Sequence, residues 1–167
     1  MQSESNQGVD VQQNKITIER DKKVALVAHG NKKHDLVEWA KCNKVRLSQH
    51  TLYATGTTGA LLEQELGFPI HKLENGSHGR DQQIGAKIVD GEIDFLIFFW
   101  DPIRSISHDS DIKALLRIAV IWNIPIACNR ATADFMISSP LMDEAYDRLL
   151  PKSSEYRNRT TMDVVSD

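Results

Sequence analysis

Short apolar runs alternate with longer amphipathic stretches along most of this chain. Val24 to Ala28, Thr51 to Ala54, Ile70 to Leu73, Phe95 to Trp100 and Ile124 to Cys128 are the five runs, each bounded by polar residues or proline. Runs this short match strands rather than helices. Between them the apolar positions spread out, predicting helices over Lys32–Asn43, Thr58–Leu66, Asp81–Asp90 and Asp111–Trp122, with a last one starting near Ala131. This alternation predicts an α/β fold with a mainly parallel central sheet of about five strands, flanked by helices. Phe95 to Trp100 has no polar interruption, which suits a central strand covered on both faces.

The Asp111 helix places Ile112, Leu115, Leu116, Ala119 and Val120 at three- and four-residue steps, which makes one apolar face. Ile118, Ile121 and Trp122 add apolar surface outside it. Such a helix either lies at a subunit interface or is wholly covered within its own chain. Residues 1–14 are almost wholly polar and read as a flexible tail, because such a segment cannot repay the entropy of being ordered. Residues 151–167 have only scattered apolar positions and read as a tail or as an arm that orders against another surface. Residues 15–150 are left as one domain.

Composition narrows the function. The chain has 167 residues, 41% of them hydrophobic and 26% charged, which fits a single packed core. Its 20 basic and 23 acidic residues give a formal net charge of -3, so no non-specific grip on nucleic acid is expected. No apolar stretch approaches the roughly 20 residues needed to cross a bilayer. The N-terminal residues have neither the basic start nor the apolar run of a signal peptide, so the expected compartment is the cytoplasm. Cys42 and Cys128 form no C-x-x-C pair, and the histidines at 29, 34, 50, 71, 78 and 108 form no H-x-x-x-H pair. A metal site is therefore not expected, and the two cysteines read as reduced thiols.

In an open parallel sheet, ligands bind beyond the carboxyl ends of the strands. The residues following the five runs are His29 with Lys33, then Thr55 to Gly59, then Asn75 to Asp81, then Asp101 with His108, then Asn129 and Arg130. Five polar loops in succession outline a pocket for a small polar ligand. Thr55-Gly56-Thr57-Thr58-Gly59 combines two glycines and three hydroxyls at the entry to a helix, which fits either an anion cradle or a Thr-capped turn. It is neither a Walker A loop nor a dinucleotide fingerprint. Asp81 is either a helix cap or a general base, the second requiring apolar enclosure to raise its basicity. Asp101 stands where the chain leaves the fourth run, before Pro102, and His108 follows with Asp109 and Asp111 beside it, so a carboxylate can orient the imidazole. No G-x-S-x-G elbow is present, which argues against a Ser-His-Asp hydrolase.

Val27-Ala28-His29, Tyr53 to Gly59, Gly79-Arg80-Asp81-Gln82-Gln83-Ile84-Gly85-Ala86, Phe98-Phe99-Trp100-Asp101-Pro102, His108 to Arg117 and Trp122 to Pro125 together resemble the methylglyoxal synthases, from about Val24 to Pro140. The resemblance implies a three-layer α/β sandwich, a homohexamer, inhibition by inorganic phosphate, and conversion of dihydroxyacetone phosphate to methylglyoxal and phosphate without metal or organic cofactor. It also implies roles by position. Asp81 is the base, His108 moves protons between substrate oxygens, and Asp111 and Asp101 support the site. Lys33, Thr55, Gly56, Thr57 and Thr58, with Asn75 and Gly76, hold phosphate, and His29 contacts the substrate.

Three positions depart from the family pattern: Gly30 stands where Asp is usual, Asn75 where Ser is usual, and Arg80 where a small residue precedes the base. An arginine near the C-terminus also belongs to that pattern, with Arg157 and Arg159 both candidates. The alternative is a non-catalytic module of the same fold, like the allosteric domain that ends carbamoyl phosphate synthetase, holding a phosphorylated effector. Such a module needs the anion loop but neither Asp81 nor His108.

Overall fold

A computed structural model of the chain describes residues 15–73, 80–103 and 109–150. Five strands form one parallel sheet: β2 (Lys23–Ala28), β3 (Thr51–Thr55), β4 (His71–Leu73), β5 (Phe95–Phe99) and β6 (Ile126–Ala127), in the spatial order β4-β3-β2-β5-β6. Each corresponds to one of the five apolar runs. The last run is trimmed most, for Ile124 and Pro125 precede the paired residues and Pro125 offers only its carbonyl, which accepts from the Leu96 N–H at 3.1 Å. β1 (Lys15–Ile18) and β7 (Tyr146–Leu149) form a separate antiparallel ladder, with Lys15 opposite Leu149 and Ile18 opposite Tyr146, which the apolar runs did not foretell.

The helices are α1 (Lys33–Cys42), the short α2 (Lys44–Leu47), α3 (Gly56–Leu66), α4 (Arg80–Val89), α5 (Asp109–Ile121) and α6 (Arg130–Ile137). Alternation along the strands decides which side each packs on. Val24 and Leu26 of β2 with Phe95, Ile97 and Phe99 of β5 face a core that includes Leu36 and Trp39 of α1, Leu62 and Leu66 of α3 and Ile137 of α6. Ala25, Val27, Leu96 and Phe98 face the opposite core, built with Ile84 and Ile88 of α4 and Ile112, Leu115 and Ala119 of α5. The result is helix, sheet, helix. All five residues of β5 are buried, as its uninterrupted apolar sequence predicts.

Two readings from the sequence need correction. Val120 does not share the buried face of α5: it is 70% exposed, while Ile112, Leu115 and Ala119 carry the stripe. A stripe stepping by three and four turns away from the core by Val120, because 3.6 residues make one turn. The helix after β3 begins at Gly56 rather than Thr58, so Gly56 and Thr57 belong to its first turn and not to a preceding loop. α3 ends at Gly67, whose φ of 73° is the left-handed conformation that stops a helix. α4 and α5 approach closely at Gly85, where a Cβ would come within 3.0 Å of Ile118 Cδ1.

Candidate active site

The strand order reverses between β2 and β5: from β2 the chain moves outward through β3 to β4, then returns to β2's other side as β5. Loops leave in opposite directions there and open a crevice. His29 follows β2, and its N–H extends the ladder by donating to Phe99 O at 3.1 Å. The chain then turns through a 3-10 turn, Gly30–Lys32, closed by the Lys32 N–H on His29 O at 2.8 Å. Asp101 leaves β5 across the crevice and is 6% exposed. Its backbone N–H donates to His29 Nδ1 at 2.9 Å, and the imidazole stands edge-on to Phe98 with ring centroids 5.1 Å apart. The Asp101 carboxylate accepts from Ile103 N–H at 2.9 Å through Oδ1 and from Asn31 Nδ2 through Oδ2.

The candidate anion-binding residues lie where β3 passes into α3. Thr55 occupies the N-cap position, yet its side chain makes no capping hydrogen bond; it is instead 3.3 Å from the Thr58 hydroxyl, both residues being buried. The Thr-capped turn is thereby replaced by a hydroxyl pair. The α3 N–H groups and the positive end of the helix dipole form a terminus suited to an anion. Lys33, at the start of α1, reaches across to donate to Thr57 Oγ1 at 2.9 Å. α3 has no acidic residue in its first turn to offset that positive field.

The backbone sets Asp81 as the second residue of α4 and Asp111 as the third of α5, helices that pack on each other and follow strands of the same parallel sheet. Asn75, Gly76 and His108 lie outside the described residues. The structure therefore brings together His29 with Asp101, and Lys33 with Thr57. It adds Asn31, which the sequence had not marked. The only signal there was a short amide two residues past His29, and its partner Asp101 is 70 positions away.

Beside the crevice lies a cavity of about 280 Å³ lined by Lys32, Asp35, Phe99, Trp100, Cys128, Asn129 and Arg130. Lys32 and Asp35 pair at 3.3 Å. Burial pushes the Cys128 thiol above its usual range, which suits an inert thiol rather than a nucleophile. Asn129 caps α6 by accepting from Thr132 N–H at 2.9 Å, so this loop residue has a structural use. Among the described residues no three His, Cys, Asp or Glu side chains gather as metal ligands, and no helix is long and apolar enough to cross a membrane.

Known proteins match this chain over most of their length. Residues 35–128 match the model of the MGS-like domain family. Methylglyoxal synthase from Saccharophagus degradans is 56% identical over 135 residues, covering 81% of this chain and 88% of that protein. The enzyme of the same name from Cellvibrio japonicus is 53% identical over 139 residues, covering 83% and 90%. The crystal structure of methylglyoxal synthase from Elizabethkingia anophelis NUHP1 superposes with a TM-score of 0.81 at 46% identity, covering 88% of this chain and 97% of that one. With the three-layer sandwich, the crevice at the sheet's reversal point and more than half of the aligned residues identical to those of the two curated relatives, the chain belongs to the methylglyoxal synthase family.

Proposed function

We propose that this protein is a carbon–oxygen lyase that converts dihydroxyacetone phosphate to methylglyoxal and inorganic phosphate, a route that bypasses part of glycolysis. What supports the reading is the meeting, at one sheet edge, of a helix terminus suited to an anion with an imidazole held by the Asp101 backbone N–H. Lys33 and Thr57 stand at the α3 terminus, and His29 is bonded to Asp101 where the strand order reverses. Phosphate is held by Lys33, the first-turn N–H groups from Gly56, and the hydroxyls of Thr55, Thr57 and Thr58, with Asn75 and Gly76 completing the cradle.

Asp81 removes a proton from the hydroxymethyl carbon, giving an enediolate. His108 then moves a proton from the hydroxymethyl oxygen to the former carbonyl oxygen. The charge left on the terminal oxygen collapses to an aldehyde, the double bond shifts, and the C–O bond to phosphate breaks. The released enol takes a proton on its methylene carbon and gives up its hydroxyl proton, becoming methylglyoxal. The proton taken by Asp81 ends on the departing phosphate, so the substrate dianion yields methylglyoxal and hydrogen phosphate in balance. Asp101 and Asp111 support the site, and His29 contacts the substrate. No step calls for a metal or organic cofactor.

Inorganic phosphate inhibits by occupying the same cradle, with allosteric character in a homohexamer, and the enzyme works in the cytoplasm without nucleic-acid or membrane partners. Purified protein given dihydroxyacetone phosphate is expected to release methylglyoxal and phosphate in a one-to-one ratio. Phosphate binding without turnover above buffer would instead mark a regulatory module.

A further inference from the structure

We infer that Asn31 is a positioning residue: through Asp101 it fixes His29 as a hydrogen-bond donor at Nε2. The assignment concerns the reaction proposed above, but its first readout is the state of the His29 ring and stands without turnover.

The geometry is a pair of hydrogen bonds running in opposite directions across the crevice. The Asp101 N–H points at His29 Nδ1 at 2.9 Å. A peptide N–H can only donate, unlike a hydroxyl or water that can reverse its role. Nδ1 must therefore accept, and the neutral ring carries its single proton on Nε2. A ring turned by half would set a C–H against the amide and leave that donor unsatisfied. Phe98 standing edge-on at 87° limits the ring's freedom to turn.

The amide of Asp101 is placed by its own side chain. With the residue 6% exposed, its carboxylate is largely removed from water and has to be satisfied by protein donors. Pro102 has no N–H, so the next amide along the chain is Ile103, which bonds Oδ1 at 2.9 Å and curls the loop back. The Asn31 amide supplies the bond to Oδ2 from the opposite loop. Asn31 sits in the middle of the Gly30–Lys32 turn, one bond-closed step from His29, so imidazole, amide and carboxylate form one closed clamp between the β2 and β5 exits.

The consequence is a division of labour between the two histidines. A ring that offers Nε2–H stabilises negative charge developing on a substrate oxygen without taking up a proton itself. His29 is thus the electrophile beside the enediolate, and the proton shuttle is left to His108. Asn31 touches no reacting atom; it acts through Asp101 on the ring.

The test combines 15N NMR of the histidine rings with steady-state kinetics. His29 signals are assigned by their loss in His29→Gln, and spectra are taken at a pH where the ring is neutral. Wild-type His29 is expected to show an acceptor Nδ1 and a protonated Nε2. Asn31→Leu, of similar size without a donor, is expected to give a mixture of tautomers and to lower kcat about tenfold with KM changed less than twofold. Asn31→Gln, which keeps the amide donor, is expected to recover part of both. A wild-type ring protonated on Nδ1 overturns the assignment, as does Asn31→Leu with an unchanged tautomer and unchanged kcat. Should Asn31→Leu fail to fold, wild type and Asn31→Gln decide it, the inference failing if Asn31→Gln folds but loses the Nε2–H tautomer. A chain with no turnover but the expected tautomer refutes the lyase reading and leaves the clamp standing.

Discussion

Gly30 stands where the resemblance to the methylglyoxal synthases implies Asp, and the structure makes that departure testable. A Cβ added there meets no heavy atom within 4 Å, and the backbone is not in the left-handed region that would demand glycine. Gly30→Asp therefore fits without strain. If a carboxylate here takes part in proton transfer, Gly30→Asp is expected to raise kcat severalfold, roughly 1 kcal/mol of barrier, with thermal stability unchanged. Equal kcat in a folded variant would mean that the carboxylate has no role in this chain. The placement of His29, Lys33 and the Thr55–Thr58 cluster at or just beyond strand ends was legible in the sequence, because a local rule applies there. Asn31 was not legible, because its significance depends on Asp101, brought opposite by the pairing of β2 with β5.

At the scale of elements, the opposite edge of the sheet holds the ladder that sequence reading missed. Lys22, wholly buried just before β2, donates through Nζ to Glu19 O at 2.6 Å and to Glu144 O, which ties the end of β1 to the approach to β7. Burial pulls its ammonium below the ordinary lysine range, partly offset by the Asp94 carboxylate. Lys22→Met keeps the packing but removes the donor, and is expected to cost about 1–3 kcal/mol in denaturant unfolding. Turnover at the far edge should change little. Unchanged stability would show that these bonds do not hold the ladder.

The ladder is not legible in the sequence because β1 and β7 are four residues each, mostly exposed, and paired between opposite ends of the domain, so neither carries an apolar run. The central strands β2 and β5 were legible for the converse reason: strands covered on two faces must be apolar at nearly every position. The earlier start of α3 is not legible in the sequence because Gly56 and Thr57 are poor helix formers, and the Lys33 contact that accompanies it is tertiary.

At the scale of the whole molecule, apolar surface remains on the helices. Val120 on α5 is 70% exposed and Phe135 on α6 is 83% exposed, with Ile118, Ile121 and Trp122 only partly covered. Exposed apolar side chains of this size on two helices are the kind of surface that subunit contacts cover. Sedimentation equilibrium is expected to give six times the 18.9 kDa chain mass. A monomer mass across micromolar concentrations would remove the hexamer and leave α5 as a helix that one chain covers as far as it needs.

In the proposed reaction this chain breaks a carbon–oxygen bond with Asp81 as the base. Proton NMR of dihydroxyacetone phosphate with wild type and with Asp81→Asn tests it most directly, alongside phosphate affinity measured for both proteins. Wild type is expected to form methylglyoxal at the rate phosphate appears, while Asp81→Asn loses at least about a thousandfold in kcat and still binds phosphate within a few fold of wild type. Methylglyoxal formation at an equal rate by Asp81→Asn, or none by wild type, would contradict that reaction.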